Sequence, residues 1–127
     1  MFKPSVAIVG ASSDREKYGN KSVRAHLRQG YEVYPINPKA GTIEGLPVYR
    51  SLAELPVQSL DRISLYVSPE IGQQLLTQIA AIDCQELWFN PGSESEAVLE
   101  QARRLGLEPI VGCSIVDLGS RPEEFDS

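Results

Sequence analysis

Short apolar runs of strand type alternate with amphipathic helical patterns along nearly the whole chain, and that alternation admits few folds. A strand pattern covers 5–9, and a helical pattern follows at 21–29, with Val23 and Leu27 one turn apart and Gly30 as its stop. A second strand pattern covers 31–36 and is ended by Asn37-Pro38. The loop 39–46 carries Gly41 and Gly45. A short strand at 47–49 then leads into a brief helix, where Ser51 and Glu54 match the capping-box spacing. The next strand is expected at 62–67. Ser68-Pro69-Glu70 reads as N-cap, proline at the first helical position and first-turn acid. It opens a helix to about residue 82, with Leu75, Leu76, Ile79 and Ile82 on one side. A strand at 86–89 is closed by Asn90-Pro91-Gly92. Ser93 and Glu96 give a second capping-box spacing, for a helix ending near Gly106, and a last strand lies at 109–111.

Strands joined through helices are parallel, and right-handed crossovers place those helices on both faces of the sheet. The expected architecture is an α/β, Rossmann-like three-layer fold. Its five-stranded parallel sheet has the order 3-2-1-4-5, with 47–49 as a short strand at one edge. One domain is expected over 1–127, with 119–127 as a loose acidic tail. Of the 127 residues 42% are apolar, enough for a layered core. A net charge of −5 argues against a nucleic-acid partner, which favours a basic face. Residues 1–4 enter the first strand without a signal-peptide apolar region, and no apolar run approaches the roughly 20 residues of a membrane span. The cytoplasm is the expected compartment. Cys84 and Cys113 have neither C-x-x-C spacing nor clustered histidines, so they read as two reduced thiols and no metal site is assigned.

In such a sheet, ligands bind beyond the carboxyl ends of the strands, where strand order reverses. Four loops gather there, 10–21, 37–41, 68–72 and 90–93, all rich in Gly, Ser, Asn or Pro. In the first, Gly10, Ala11, Ser12 and Ser13 follow the strand and are placed to bring backbone N–H groups to a phosphate. The G-x-G-x-x-G spacing would need glycines where Ser12 and Arg15 stand, and the loop is longer, so its cradle is wider than the NAD type. A NAD-binding unit ordinarily carries an acid at the end of its second strand to hold the ribose hydroxyls. Here Lys39 follows Asn37-Pro38 instead. A cation there favours a ligand with more phosphate charge than NAD. Coenzyme A fits this best, and NADP is compatible.

Loop lysines ordinarily face water, and Lys17 and Lys21 are read that way. Lys39 differs because the strand-ending Asn-Pro partly sets its direction. Ser68 caps its helix and also faces the ligand side, while Pro69 and Ile71 offer apolar surface to an adenine ring. His26, alone in a helix body, reads as structural, and Trp88 as core. Cys113 falls at the functional edge and reads as an inert half-buried thiol. No nucleophile, base and orienting group can be assembled, so no catalytic residue is assigned.

The segments Val9-Gly10-Ala11-Ser12, Gly30-Tyr31-Glu32-Val33-Tyr34-Pro35-Ile36-Asn37-Pro38, Gly45-Leu46-Pro47-Val48-Tyr49, Tyr66-Val67-Ser68-Pro69 and Trp88-Phe89-Asn90-Pro91-Gly92 carry a resemblance over about 6–117. In order and spacing they resemble the CoA-binding domain at the N-terminus of the succinyl-CoA synthetase α subunit. They resemble more closely the small stand-alone CoA-binding proteins built on it. The resemblance implies CoA or an acyl-CoA held by Gly10, Ala11, Ser12 and Ser13, by Lys39, and by Val67, Ser68 and Pro69, without catalysis of its own. It implies a small-molecule nucleotide as partner; a protein partner is left open but not indicated, and hydropathy and charge point to no membrane and no nucleic acid. The synthetase adds a domain bearing a phosphorylated histidine and a nucleotide-binding β subunit. This sequence stops before any such domain, so ligase chemistry is not carried over. Its first loop also departs from the synthetase's T-G-x-x-G turn. Three rivals stand beside this reading: an NAD(P)-binding redox sensor or reductase-like domain, a small acyl-CoA enzyme using Cys113, and an interaction module that keeps the fold without a ligand.

Overall fold

Val6, Ala7, Ile8 and Val9 are all buried, because the strand they form is covered on both faces. The computed structural model describes residues 3–39 and 41–126. Met1 and Phe2, at the expected entry to the first strand, and Ser127, at the end of the expected tail, lie outside them. In chain order the elements are β1 (Ser5–Val9), α1 (Tyr18–Arg28), β2 (Glu32–Ile36), β3 (Thr42–Ile43), β4 (Leu46–Pro47) and a 3-10 turn (Leu52–Glu54). There follow β5 (Ser59–Leu65), α2 (Pro69–Ala80), β6 (Asp83–Phe89), α3 (Glu96–Arg104), β7 (Pro109–Val111), α4 (Ser114–Asp117) and a second 3-10 turn (Pro122–Phe125).

Five strands form one sheet in the order β2-β1-β5-β6-β7, with every neighbouring pair parallel. The five-stranded parallel sheet is as expected, but the order 3-2-1-4-5 needs correcting for its full strands. The third full strand, β5, lies against β1, so the order reads 2-1-3-4-5. The place outside β2 belongs to the segment around Tyr49, which makes only one parallel bridge, to Ile36. Pro47 has no N–H to give a sheet. Leu46–Pro47 instead closes an antiparallel hairpin on Thr42–Ile43. Only when that bridge is counted as the third strand does 3-2-1-4-5 describe the sheet from that edge.

Alternation along β1 divides the core. Ala7 and Val9 join Ile63, Leu65 and Phe89 under Leu76 and Ile79 of α2 and Val98 and Ala102 of α3. Val6 and Ile8 face the other way, with Val23 of α1. Leu27, expected to pack one turn beyond Val23, is largely exposed. Among the described residues, no helix is long and apolar enough to cross a membrane.

Three local expectations change. Helix α1 starts at Tyr18, not at 21, because Gly19 and Asn20 are buried against the first loop. Neither capping box forms: Ser51 makes no side-chain cap bond, and Ser95 replaces Ser93 as the cap of α3, accepting from the Val98 N–H at 3.2 Å. The tail is not loose over its described residues. Phe125 is 4% exposed and lies beneath Arg24 and Arg28 of α1, their guanidinium carbons 5.5 and 4.4 Å from its ring centre.

Candidate functional site

Strand order reverses between β1 and β5, and the loops after these strands separate there. Three segments nest at that point. Gly10 takes a φ of 91°, and a Cβ on it would lie 2.6 Å from the carbonyl oxygen of Tyr66. A Cβ on Gly19 would lie 2.2 Å from the Gly10 oxygen. Glycine at both positions is therefore a packing requirement, and it lets α1 start directly behind the first loop.

Two asparagines fasten the strand ends. Asn37, after β2, donates from Nδ2 to the Ala11 oxygen at 2.8 Å and accepts from the Lys39 N–H at 2.8 Å, so the second loop is tied to the first. Asn90, after β6, donates to Ser64 Oγ at 2.7 Å and to the Leu65 oxygen at 3.0 Å. Its Oδ1 accepts from the Ser114 N–H at 2.8 Å. Ser93 in turn donates its hydroxyl to the Asn90 oxygen at 2.7 Å, which holds the Pro91-Gly92-Ser93 turn. Tyr66 shares a hydrogen bond with Ser114 Oγ at 3.1 Å, and burial pushes its phenol above the ordinary value of 10.0.

These loops enclose a cleft of about 390 Å³ lined by Gly10, Ala11, Ser12, Lys17, Tyr18, Gly19, Asn37, Tyr66, Val67, Ser68 and the 91–93 turn. A second lobe of about 400 Å³ shares Ser12, Lys17 and Asn37 and adds Ser13, Lys39, Gly41, Thr42, Ile43 and Val48. The lining of both lobes holds two lysines and, among the described residues, no carboxylate, although the chain carries a net charge of −5. The start of α1 borders the cleft and adds the positive end of its dipole. The N–H groups of Ser12 and Ser13 meet no backbone acceptor among the described residues. Such a donor set suits an anionic phosphate ligand.

The structure brings Gly10, Ala11, Ser12, Val67 and Ser68 into the first lobe and Ser12, Ser13 and Lys39 into the second. Pro69 lines neither, because as the first residue of α2 it follows the capping Ser68 away from the cleft. Ser68 accepts from the Ile71 N–H at 3.4 Å. Ile71 is 48% exposed and borders a small apolar pocket of about 110 Å³ that shares Gly10 and Val67 with the cleft. The two remaining lysines part company. Lys17 is exposed and lines both lobes, whereas Lys21 is buried and pairs with Asp126.

Sequence reasoning read Lys17 as a solvated lysine, assigned Tyr66 no role, and treated the asparagines only as strand ends. One signal was available: Asn-Pro stands twice at a strand's carboxyl end, as Asn37-Pro38 and Asn90-Pro91. His26 is fully buried, its Nδ1 2.8 Å from the Ser22 oxygen and its Nε2 without a partner among the described residues. Burial lowers its pKa to about 4. Among the described residues, no group of three His, Cys, Asp or Glu is placed to hold a metal.

A family model described as a CoA binding domain matches residues 4–119. The alpha subunit of ADP-forming acetate–CoA ligase I from Pyrococcus furiosus is 28% identical over 144 residues, covering 100% of this chain and 31% of that protein. The alpha subunit of acetate–CoA ligase II from the same organism is 33% identical over 88 residues, covering 67% of this chain and 18% of that protein. The chain thus spans less than a third of the length of these curated relatives. Among solved structures, a conserved hypothetical protein from Pyrococcus furiosus superimposes with a TM-score of 0.80 at 37% identity, over 91% of this chain and 99% of that one.

Proposed function

This chain belongs to the CoA binding domain family, and from that premise we propose that it binds coenzyme A or an acyl-CoA in the two-lobed cleft without catalysis of its own. The observation that carries the reading is a lysine-bearing, carboxylate-free cleft on an acidic chain. Lys39 and Lys17 supply charge for the phosphates, and the backbone from Gly10 to Ser13 supplies N–H donors. Val67 and Ser68 continue the wall beside Gly10, and exposed Ile71 beside Val67 offers apolar surface to the adenine. Pro69 sets the start of α2 and is assigned no direct contact. The NAD(P) reading rested on a lysine compatible with NADP and draws no support from the family.

The binding-only part rests on the same lining. Among the described residues, no histidine, aspartate or glutamate lines either lobe to act as a base. Calorimetry with CoA, NAD and NADP tests the reading. CoA is expected to bind at least about tenfold tighter than either, roughly 1.4 kcal/mol. Equal or tighter binding of NAD overturns it. Multiple turnover of acetyl-CoA by the protein, with ATP and magnesium present, overturns the non-catalytic part.

A further inference from the structure

Beside the first lobe lies a separate apolar pocket of about 300 Å³, walled by Tyr18, Tyr66, Pro91, Cys113, Val116 and Pro122. Three of these, Tyr18, Tyr66 and Pro91, also line the first lobe, so the two spaces adjoin. Tyr18 is 59% exposed and Val116 55% exposed, so apolar surface of both pocket residues meets water. Among the described residues, no charged side chain lines the pocket. Its one amide, Asn90, has both ends engaged, with Nδ2 on Ser64 and Leu65 and Oδ1 on Ser114. The Tyr66 hydroxyl is likewise held by Ser114.

We infer that this pocket takes the acyl group of a bound acyl-CoA, and that the acyl group is a short apolar chain without a terminal carboxylate. The inference rests on the CoA reading and deepens it. The volume is about ten times the ~30 Å³ share of one water molecule in the liquid, room for a chain of a few carbons. Burying such a chain against Tyr18, Pro91 and Val116 removes apolar surface from water on both sides. A carboxylate at the tip would meet no cationic side chain among the described lining residues, and would give up part of its hydration with no countercharge in return.

Calorimetry with free CoA, butyryl-CoA and succinyl-CoA tests this, in the wild type and in Val116→Asp. Val116 lines this pocket and neither lobe of the cleft, and its exposure lets the variant fold. Wild type is expected to bind butyryl-CoA about tenfold tighter than CoA, and succinyl-CoA no tighter than CoA. In Val116→Asp the butyryl advantage disappears while CoA affinity is unchanged. CoA binding with no butyryl preference overturns the acyl pocket and leaves the CoA reading standing. So does an equal gain from succinyl, or a gain that survives in Val116→Asp. No binding of free CoA overturns the CoA reading, and the acyl pocket with it. Should the variant not fold, the three ligands on wild type decide alone.

Discussion

Lys39 reaches the cleft because Asn37 captures its backbone N–H, not because loop lysines prefer ligands. Replacing it with alanine leaves that hydrogen bond intact and removes only the ammonium. Lys39→Ala is therefore expected to fold normally and to weaken CoA binding by about 1.5 kcal/mol, the low end for a bond to a charged group. The loss should shrink between low and high salt, because an exposed pair is screened. Calorimetry at two ionic strengths reads both effects, and unchanged affinity returns Lys39 to the solvent. His26 gives a different kind of prediction. Burial, reinforced by the nearby Arg62 charge, lowers its pKa from 6.5 to about 4, against the opposing effects of its bond to Ser22 and of Asp117. The unfolded chain then binds the proton more readily than the folded one. Stability should fall as pH drops from about 6.5 to about 4, by on the order of 3 kcal/mol, and His26 should add no slope outside that window. Urea unfolding across this range checks it, with His26→Gln expected to flatten the His26 part of the profile.

At the scale of elements, the two helix caps allow a controlled comparison. Ser95 caps α3 at 3.2 Å in a half-buried setting, and Ser68 caps α2 at 3.4 Å in an exposed one. Ser95→Ala is expected to cost about 1 kcal/mol of stability, and Ser68→Ala about half of that, because its bond is longer and water replaces it readily. The midpoint of urea unfolding should shift with an unchanged slope in both. Only Ser68→Ala should also weaken CoA binding, since only Ser68 lines the cleft. These caps also show where a spacing rule stops short. Ser93 stands three residues before Glu96, as a capping box requires, yet its hydroxyl turns back to the Asn90 oxygen and α3 begins two residues later than that spacing implies. Spacing records which groups are within reach along the chain, not which acceptor a buried strand end offers.

Across the whole molecule, the C-terminal segment closes the α1 face. Phe125 packs with Ala25 and Ile115, and Arg24 donates from Nη2 to the Phe125 oxygen at 2.8 Å. Phe125→Ala is expected to destabilise the fold by about 3 kcal/mol, through lost burial and the cavity left behind. Thermal or urea unfolding measures it, and a loss below about 1 kcal/mol would mean that the segment docks without contributing to the core. The alternation of elements, the parallel sheet, the four loops at its carboxyl edge and the glycine turn at Gly10 were all legible in the sequence, because each depends on residues within a few positions of one another. The same holds for Lys39, tied to Asn37 two residues away. What only the tertiary structure decided are pairings between distant positions. Lys17 and Lys21 are four apart and look alike in the sequence. One lines the cleft, while the other is drawn to Asp126, 105 positions on, by a tail that the sequence alone marked as acidic and loose. Gly19 against Gly10, and β5 rather than β6 against β1, follow from the same cause. Close packing chooses among distant partners by shape and by which hydrogen bonds remain to be made, and neither is written in local pattern.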